Sequence, residues 1–256
     1  MRGKTSFKSL LRAINILDLF QKERTMLSVP HISAALRIPR STTYKYLAVL
    51  REHGFADYDE QSGKYKLGMR LFEFGSFIKS QASIDKLALP YMSRLAREVG
   101  ETVMLTVRGD NAVYCLEHVE YVNGIIFSVE RGARFPLYSG SSAKTFLAFL
   151  PDDEIENVLR EAELVKYTDT TITDPEELKK NLMEIRKVGY AYSDQEIHVG
   201  ARAISAPIFN PEGQVIACLA VIGPVQRMDD EKIDVLKARV VEYAGKISGV
   251  KHLSLS

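Results

Sequence analysis

The sequence predicts an α+β protein with an N-terminal winged helix-turn-helix, a linker helix and a C-terminal domain with an antiparallel sheet. Between residues 28 and 68, a short apolar helix, a tight turn, a second helix and two short strands follow in the order of a winged helix. After residue 100, strand patterns come in consecutive runs with helices between them, which is typical of an α+β domain. We therefore divide the chain into residues 1–68, a linker helix over 69–83, and residues 84–256.

The distribution of charge agrees with this division. Residues 1–80 contain 14 Lys and Arg against 7 Asp and Glu, whereas the remaining residues contain 20 against 26. The whole chain carries only +1. We therefore expect only the front part to meet a polyanion. Chance clustering is the alternative, and the coincidence with the helix-turn-helix pattern disfavours it.

The composition is that of a soluble globular protein, with 256 residues of which 46% are hydrophobic and 26% charged. Arg12, Asn15 and Asp18 interrupt the first apolar stretch, so we expect a helix there and not a signal peptide. No apolar run is long enough to span a membrane, so we expect a cytoplasmic protein without a membrane partner. The sequence has no phosphate-loop or dinucleotide fingerprint and no metal-ligand spacing among its five histidines, so we expect no cofactor.

Apolar residues at helical spacing predict three helices in the front domain, over residues 9–22, from Ser28, and from Pro39 to Gly54. The first is amphipathic through the recurring apolar residues Leu10, Ala13, Ile14, Leu17 and Phe20. The residues predicted to face inward are Ile32, Ala35 and Leu36 in the second helix and Thr43, Leu47 and Leu50 in the third. Two short strands, 55–58 and 64–67, are predicted around a turn.

The third helix begins with small, hydroxyl-bearing and cationic side chains, which let a helix approach a DNA groove, hold phosphates and reach bases. The candidate contacts in this helix are Arg40, Ser41, Thr42, Tyr44 and Lys45. Ser28 is a further phosphate candidate at a helix start. Lys64 and Tyr65 are candidates in the ribbon, although its neighbouring acidic residues make the ribbon partly negative. The alternative is a solvated helix face with ordinary charges.

In the rear part of the chain, segments with the apolar spacing of a helix alternate with segments that have the spacing of a strand. Its predicted helices cover residues 84–99, 142–150, 152–162, 174–187 and 229–248, and its predicted strands cover residues 102–107, 112–119, 124–128, 190–193, 201–209 and 215–222. Residues 70–82 are apolar at helical spacing and form the predicted linker helix, which could also pair with a partner chain.

These segments together resemble the IclR family of bacterial transcription regulators. The matching segments are Ala13–Leu17, Ile38–Leu47, Tyr65–Gly68, Arg131–Leu137, Gly140–Lys144, Gly189–Glu196, Ile204–Phe209 and Ala220–Pro224. They span nearly the whole chain in the family's order, so the match is specific although each segment alone is weak. The resemblance implies a winged helix domain, a linker helix and a GAF-like effector domain. It also implies dimers, or dimers of dimers, bound to double-stranded promoter DNA.

The resemblance also implies an effector pocket at Gly140, Ser141, Ser142, Asp194, Ala201, Ala203 and Ala220. Amides at the start of the helix there could hold a carboxylate, and Asp194 could accept a hydroxyl. A plain helix cap is an equal alternative for residues 140–142, and surface charge is one for Asp194 and Glu196. Family members that bind 2-oxo acids tend to have polar side chains where this chain has Ala203, Ala220 and Ile222, which favours a larger or less polar acid.

These observations favour a repressor of a catabolic operon that responds to an organic, sugar or aromatic acid. Two other classes stay open, an enzyme tethered to a helix-turn-helix and a protein-interaction module. Cys115 and His118 are expected on opposite faces of one strand, which argues against a nucleophile or metal pair. Ser141 has no obvious His and Asp partners for acyl transfer. Arg131 and Arg134 are either a subunit-contact loop or solvated charges.

Overall fold

The computed structural model describes residues 7–23, 25–81, 84–110, 112–121 and 129–250. The chain divides at Gln81 into two compact units, which we call the N-terminal and the C-terminal unit. The α+β class predicted from the sequence is confirmed, with a winged helix-turn-helix in the first unit and an antiparallel sheet in the second. The predicted strand over residues 124–128 lies outside the described residues.

The N-terminal unit follows the winged-helix order. It contains α1 (Lys8–Glu23), α2 (Val29–Leu36), α3 (Arg40–Glu52), β1 (Ala56–Asp59), β2 (Lys64–Leu67) and α4 (Met69–Gln81). β1 and β2 pair antiparallel and form the wing. An isolated bridge between Leu27 and Tyr65 ties the segment before α2 to the wing.

One apolar cluster fills the space between α1, α2, α3 and the wing. α1 contributes Ile16, Leu19 and Phe20, whereas Leu10 and Ile14 are 59% and 43% exposed. The apolar stripe of α1 is therefore only partly buried, and Ala35 of α2, which was predicted to face inward, is exposed. Apolar residues occupy more than one face of α1, and their spacing alone cannot say which face the neighbouring helices cover.

The C-terminal unit is built on a six-stranded antiparallel sheet of order β5-β4-β3-β8-β7-β6. Its elements are α5 (Ile84–Val99), β3 (Thr102–Arg108), β4 (Ala112–Val119), β5 (Arg134–Pro136), α6 (Ser141–Ala148), α7 (Asp152–Glu161), α8 (Pro175–Val188), β6 (Ala191–Asp194), β7 (Ala201–Phe209), β8 (Val215–Pro224) and α9 (Asp230–Ser248). The edge strand β5 was not predicted, because three residues are too few to show an alternation.

The two faces of the sheet are covered by different helices. α5 and α9 pack on one face against residues such as Leu105, Ile204 and Leu219. α6 packs on the other face, where Thr145 Oγ1 lies 2.6 Å from Ser205 Oγ of β7. Directly paired residues of neighbouring strands point to the same side of a sheet. The register of the strands therefore assigns side chains to an α6 face and an α9 face.

A buried carboxylate fastens the start of α9 to the sheet. Glu101, just before β3, is 1% exposed. Its oxygens accept hydrogen bonds from Arg227 Nε and Nη2 at 3.0 and 2.7 Å and from Lys232 Nζ at 2.7 Å. Two cations around one buried anion supply the counter-charge that burial requires. We regard this cluster as structural.

Candidate functional site

The N-terminus of α3 is uncapped and exposed. Its N-cap residue is Pro39, and no side chain hydrogen bonds to the first turn. The first amide N–H groups of a helix have no acceptor within the helix, so those of α3 are available to an external anion. Thr43 is fully buried and donates to Pro39 O at 3.2 Å, which turns the opposite side of α3 outward.

The outward side of α3 is cationic and rich in hydroxyl groups. Arg40, Ser41, Tyr44 and Lys45 are exposed, with Tyr44 at 55%, and Thr42 is half-buried. Within the described ranges of the chain, neither Arg40 nor Lys45 has an acidic partner. Their charge is therefore not neutralised within those ranges, and it lies on the same surface as the free amides of the helix start.

Ser28 caps α2. Its Oγ accepts a hydrogen bond from the His31 N–H at 3.4 Å. His31 Nε2 lies 2.7 Å from Glu23 Oε1 of α1. Ser28 is half-buried, so the cap uses an oxygen that sequence analysis assigned to a phosphate.

The wing offers less to a nucleic acid than the sequence suggested. Tyr65 is 8% exposed, packs with Tyr58 at a ring-centroid distance of 4.9 Å, and belongs to the apolar cluster. Its burial raises the pKa of the phenol. The structure therefore contradicts a DNA contact through this side chain, because β2 turns Tyr65 inward and leaves Lys64 exposed. Lys64 lies opposite Asp59 in the ribbon, which keeps an acidic group beside it.

Arg37, in the turn between α2 and α3, was not singled out by sequence analysis. It adopts a left-handed conformation with φ 53°, and its side chain is exposed. A residue with a side chain pays about 1–2 kcal/mol for this conformation, which glycine adopts freely. The turn thus retains a cation at a position where glycine would fit better.

On the α6 face of the C-terminal unit, α6 begins at a glycine whose backbone conformation disfavours a side chain. Gly140 has φ 84°, and a Cβ built on it would lie 2.6 Å from Ile197 Cδ1. Its N–H donates to Glu196 Oε2 at 3.1 Å. The helix has no side-chain cap, so the N–H groups of residues 141–143 have no acceptor within α6.

A buried ion pair neutralises the start of α6. Lys144 Nζ lies 2.5 Å from Glu196 Oε1 and donates to Tyr192 O at 2.9 Å. Lys144 is 1% exposed and Glu196 is 5% exposed. Glu196 is therefore not a surface charge, and the surface alternative considered for it was wrong. An internal carboxylate already occupies one amide of the predicted anion site.

Ser141 and Ser142 are both buried, at 3% and 7% exposure. Ser142 Oγ has no hydrogen-bond partner within the described part of the chain. Ser142 lies one helical turn before Phe146, which packs against Cys218 of the sheet. Ser142 therefore also faces the sheet.

Asp194 points to the opposite face of the sheet. Its oxygens accept from Arg202 Nε and Nη2, each at 3.1 Å, and Arg202 Nη1 donates to Met228 O at 2.7 Å, just before α9. The hydrogen bonds from Arg202 hold the pKa of Asp194 below its usual value. The structure thus contradicts a pocket in which Asp194 joins Gly140–Ser142. The neighbouring Ser193 is buried, pairs with Ala203 and faces α6 instead.

Three predicted alanines do share the α6 face. Ala203 pairs with Ile222 and Ala201 with Pro224, while Ala220 pairs with both Ser205 and Met104. Ala201 and Ala220 are buried and Ala203 is half-buried. Small apolar side chains therefore form part of the sheet face below α6, beside the polar Ser193 and Ser205.

His118 and Cys115 lie on the same face, against the expectation from simple alternation. Leu105 pairs with Glu117 and Thr106 with Cys115, so β4 has an extra residue at this point. This bulge brings Cys115 and His118 to the α6 face together. Burial raises the pKa of Cys115 to about 12, which disfavours a nucleophilic thiolate.

Two smaller predictions have definite outcomes. Arg131 Nε lies 2.5 Å from Oε1 of Glu117, which is 5% exposed, so Arg131 is a partner of a buried carboxylate and not merely a solvated charge. Arg134 is exposed on β5.

In the described ranges, no helix is long and apolar enough to cross a membrane. The same ranges contain no group of three or more His, Cys, Asp or Glu that could hold a metal ion.

Both units match models of known protein families. The IclR helix-turn-helix domain matches residues 9–60, and the C-terminal domain of the bacterial transcriptional regulator IclR matches residues 77–249. The second match alone covers more than half of the chain.

Individual proteins are similar over nearly the whole length. The chain is 33% identical over 241 residues to the HTH-type transcriptional regulator KipR of Bacillus subtilis (strain 168), covering 94% of this chain and 96% of KipR. It is 30% identical over 225 residues to the HTH-type transcriptional repressor AllR of Escherichia coli (strain K12), covering 88% and 83%. A crystal structure of an IclR homolog from Microbacterium hydrocarbonoxydans complexed with 4-hydroxybenzoate superposes with a TM-score of 0.75 at 28% identity, covering 94% of this chain and all of that one.

Proposed function

Because the chain belongs to the IclR family of bacterial transcription regulators, we propose that it binds promoter DNA through α3 and responds to a small-molecule acid bound by the C-terminal unit. The observation that carries the DNA part is the outward side of α3, where Arg40 and Lys45 have no acidic partner in the described ranges. These cations adjoin an uncapped helix start. This combination suits phosphate and base contacts in a major groove.

We assign the DNA contacts to Arg40, Ser41, Thr42, Tyr44 and Lys45, with Lys64 at the wing. Arg37 joins them as a phosphate contact. Ser28 stays a candidate only through the start of α2, since its side chain already caps that helix. In the proposed organisation, residues 1–68 bind DNA, residues 69–83 link, and residues 84–256 bind the effector.

A mobility-shift titration with the native upstream region tests the assignment. The Arg40→Ala, Lys45→Ala double variant should lose most affinity, because it removes two cations from the groove-facing side of α3. The matched control is Lys180→Ala, Lys187→Ala, which removes two cations from α8 in the C-terminal unit. Equal binding by both variants would exclude α3 as the reading helix.

The same family suggests how the protein assembles. Leu10, Leu11 and Ile14 of α1 and Phe72 and Phe77 of α4 are exposed, at 43–67%. Large apolar side chains that are exposed together on one unit are typical of an interface. We propose that they bury against a second copy to form a dimer, or part of a dimer of dimers, so that two α3 helices reach two half-sites.

Light scattering after size exclusion tests the dimer. Leu10→Ser, Ile14→Ser should lower the molar mass toward the monomer, because it places two hydroxyls in the apolar interface. Val199→Ser is the control, since Val199 is 80% exposed in the C-terminal unit. An unchanged mass for the double variant would remove α1 from the interface.

We propose that the effector is an organic, sugar or aromatic acid. Its binding would release the protein from the operator of a catabolic operon. The support is the partly apolar α6 face, the N–H groups at the start of α6 that have no acceptor within the helix, and the similarity to a protein complexed with 4-hydroxybenzoate and to a named repressor. A thermal-shift screen of such acids on the full chain identifies binders. A binder that leaves operator affinity unchanged would contradict the regulatory role.

A further inference from the structure

The start of α4 lies directly against the end of α3. The Gly68 N–H donates to Phe55 O at 2.9 Å, and the Arg70 N–H donates to Gly54 O at 3.2 Å. A Cβ built on Gly68 would overlap Gly54 O, so the close approach of these two backbone segments requires glycine. The two hydrogen bonds determine where α4 begins. Contacts at one end of a helix do not by themselves determine its direction.

The side chain of Arg70 supplies a second point of attachment. Its Cζ lies 5.3 Å from the centre of the Phe55 ring and 5.6 Å from that of the Phe74 ring, and the two ring centres are 5.7 Å apart. We call these three side chains the Arg70 cluster. The guanidinium makes a cation–π contact with each ring. Phe74 lies about 6 Å further along α4 than Arg70, so the cluster holds the helix beyond its first residues.

Arg70 also joins the Arg70 cluster to the C-terminal end of α3. Its Nη1 donates to His53 O at 3.2 Å, and His53 is the C-cap residue of α3. The last carbonyl groups of a helix have no donor within the helix and carry a partial negative charge, so a guanidinium there is favourable. One side chain therefore contacts both the carbonyl end of α3 and a ring one turn along α4.

The side of α4 that faces away from the Arg70 cluster is apolar and exposed. Phe72 is two residues from Phe74, which places the two rings on nearly opposite sides of the helix. Phe72 is 67% exposed, and Met69, three residues before it, is 70% exposed. Phe72 is one of the residues that we assign to the contact with a second copy. In such a dimer, the direction of α4 relative to α3 sets the distance between the two α3 helices.

We propose that Arg70 is a positioning residue that fixes the direction of α4 relative to α3, and thereby the half-site spacing that two copies of this chain accept. In this role Arg70 contacts no base and acts through the placement of α3. This inference rests on the proposed DNA binding and dimer, and it adds a residue outside the helix-turn-helix to the determinants of operator choice.

The distance between α3 and α4 tests the role of Arg70 without DNA. Spin labels at Val49→Cys in α3 and Glu73→Cys in α4 report this distance within one copy when labelled chain is diluted with unlabelled chain. The native Cys115 and Cys218 are 1% and 0% exposed and should react little with the label. The narrow distance distribution expected with Arg70 present should be lost in Arg70→Ala. An equally narrow distribution in that variant would overturn the proposal.

Duplexes that differ only in the spacer between half-sites test the consequence for DNA. Footprinting first locates the operator in the native upstream region. The wild type should bind the native spacer about tenfold more tightly than spacers longer or shorter by one or two base pairs, because a changed spacer also rotates one half-site around the duplex. Arg70→Ala should reduce this preference to about twofold or less and leave the affinity for a single half-site unchanged.

Further variants separate the contacts of the Arg70 cluster from its charge. Phe74→Ala should also lose the spacing preference, because it removes one ring and retains the cation. Phe74 is 46% exposed, so this variant should fold even if Arg70→Ala does not. Arg70→Lys should restore little, since an ammonium group lacks the planar fork that reaches both rings and the α3 carbonyl at once. The matched control is Arg94→Ala in α5, where the side chain is 71% exposed, and it should leave the spacing preference unchanged.

An unchanged spacing preference in Arg70→Ala and Phe74→Ala would contradict the proposal. So would a loss of half-site affinity in Arg70→Ala that Arg70→Lys restores, because that pattern identifies a direct phosphate contact. Failure of the wild type to bind any part of the upstream region, or to form a dimer in light scattering, would instead reject the proposed function. The spin-label distances would still decide whether Arg70 fixes the direction of α4.

Discussion

At Arg37, backbone conformation and charge have opposite consequences. The left-handed φ of 53° costs a residue with a side chain about 1–2 kcal/mol, and glycine's extra chain entropy offsets part of that gain. We expect Arg37→Gly to raise the free energy of unfolding by about 0.5–1 kcal/mol in urea titrations. The same variant should weaken operator binding and reduce the salt slope by about 0.9, the contribution of one phosphate contact. A stabilised variant with full DNA affinity would show that Arg37 touches no phosphate.

Gly140 and Gly132 both adopt a backbone conformation that favours glycine, and Gly140 is the more constrained of the two. Both have positive φ, 84° and 81°, but only a Cβ at Gly140 would meet a neighbour, Ile197 Cδ1 at 2.6 Å. Gly132→Ala should destabilise by about 1–2 kcal/mol through φ alone. Gly140→Ala should cost more, measured as the difference in urea midpoint, because φ 84° with ψ 158° is a conformation essentially restricted to glycine and because Ile197 must also move. If the two substitutions cost the same, neither the ψ of Gly140 nor the contact with Ile197 constrains α6.

At the scale of elements, α6 is held in place by its buried ion pair. Lys144→Met leaves the Glu196 carboxylate buried without a cation, which we expect to cost about 3–5 kcal/mol. The double variant Lys144→Met, Glu196→Gln should recover much of this loss, because no uncompensated charge remains. Thermal and urea unfolding of these two variants and of the single Glu196→Gln variant measure the coupling. Lys187→Met, from an exposed pair 3.9 Å from Glu184, is the control and should change little. Additive losses would mean that the two side chains act independently.

The elements themselves were largely predictable, because spacing and turn chemistry are local. Asp174 and Pro175 predict the start of α8, and Asp174 Oδ1 does accept a hydrogen bond from the Glu177 N–H at 2.8 Å. The face of the sheet on which a given side chain lies was harder to predict. Asp194 and Ser193 differ by one residue, and only the register of β6 against β7 shows which one faces α6.

The bulge in β4 illustrates the same limit. The spacing of Cys115 and His118 implied opposite faces, and one inserted residue reversed that result. No local pattern in the strand announces such an insertion, since it arises from pairing with β3. The buried partner of Lys144 was equally hidden, because Glu196 lies 52 residues away in the chain.

For the whole molecule, the distribution of charge predicts how binding to random-sequence DNA is limited. Acidic residues close to the DNA-binding surface should lower this affinity. Glu60, exposed at the tip of the wing, should repel phosphates near Lys64. We expect Glu60→Gln to raise affinity for random-sequence DNA by less than about 1 kcal/mol at low salt, and the gain to disappear as salt rises. Glu212→Gln, at the exposed turn between β7 and β8, is the matched control and should have no effect. An unchanged affinity for Glu60→Gln would place the wing away from the duplex.

The outward side of α3 has a consequence for how such proteins diverge. Its exposed residues, Arg40, Ser41, Tyr44 and Lys45, lie opposite the buried side that holds Thr43, Leu47 and Leu50. Substitutions on the exposed side should therefore be nearly neutral for folding and additive with one another. A lineage can then acquire a new operator by changing a handful of codons in one helix, without compensating changes elsewhere. Under the proposed assignment of α3, target choice and fold stability would therefore be separately evolvable traits of this chain.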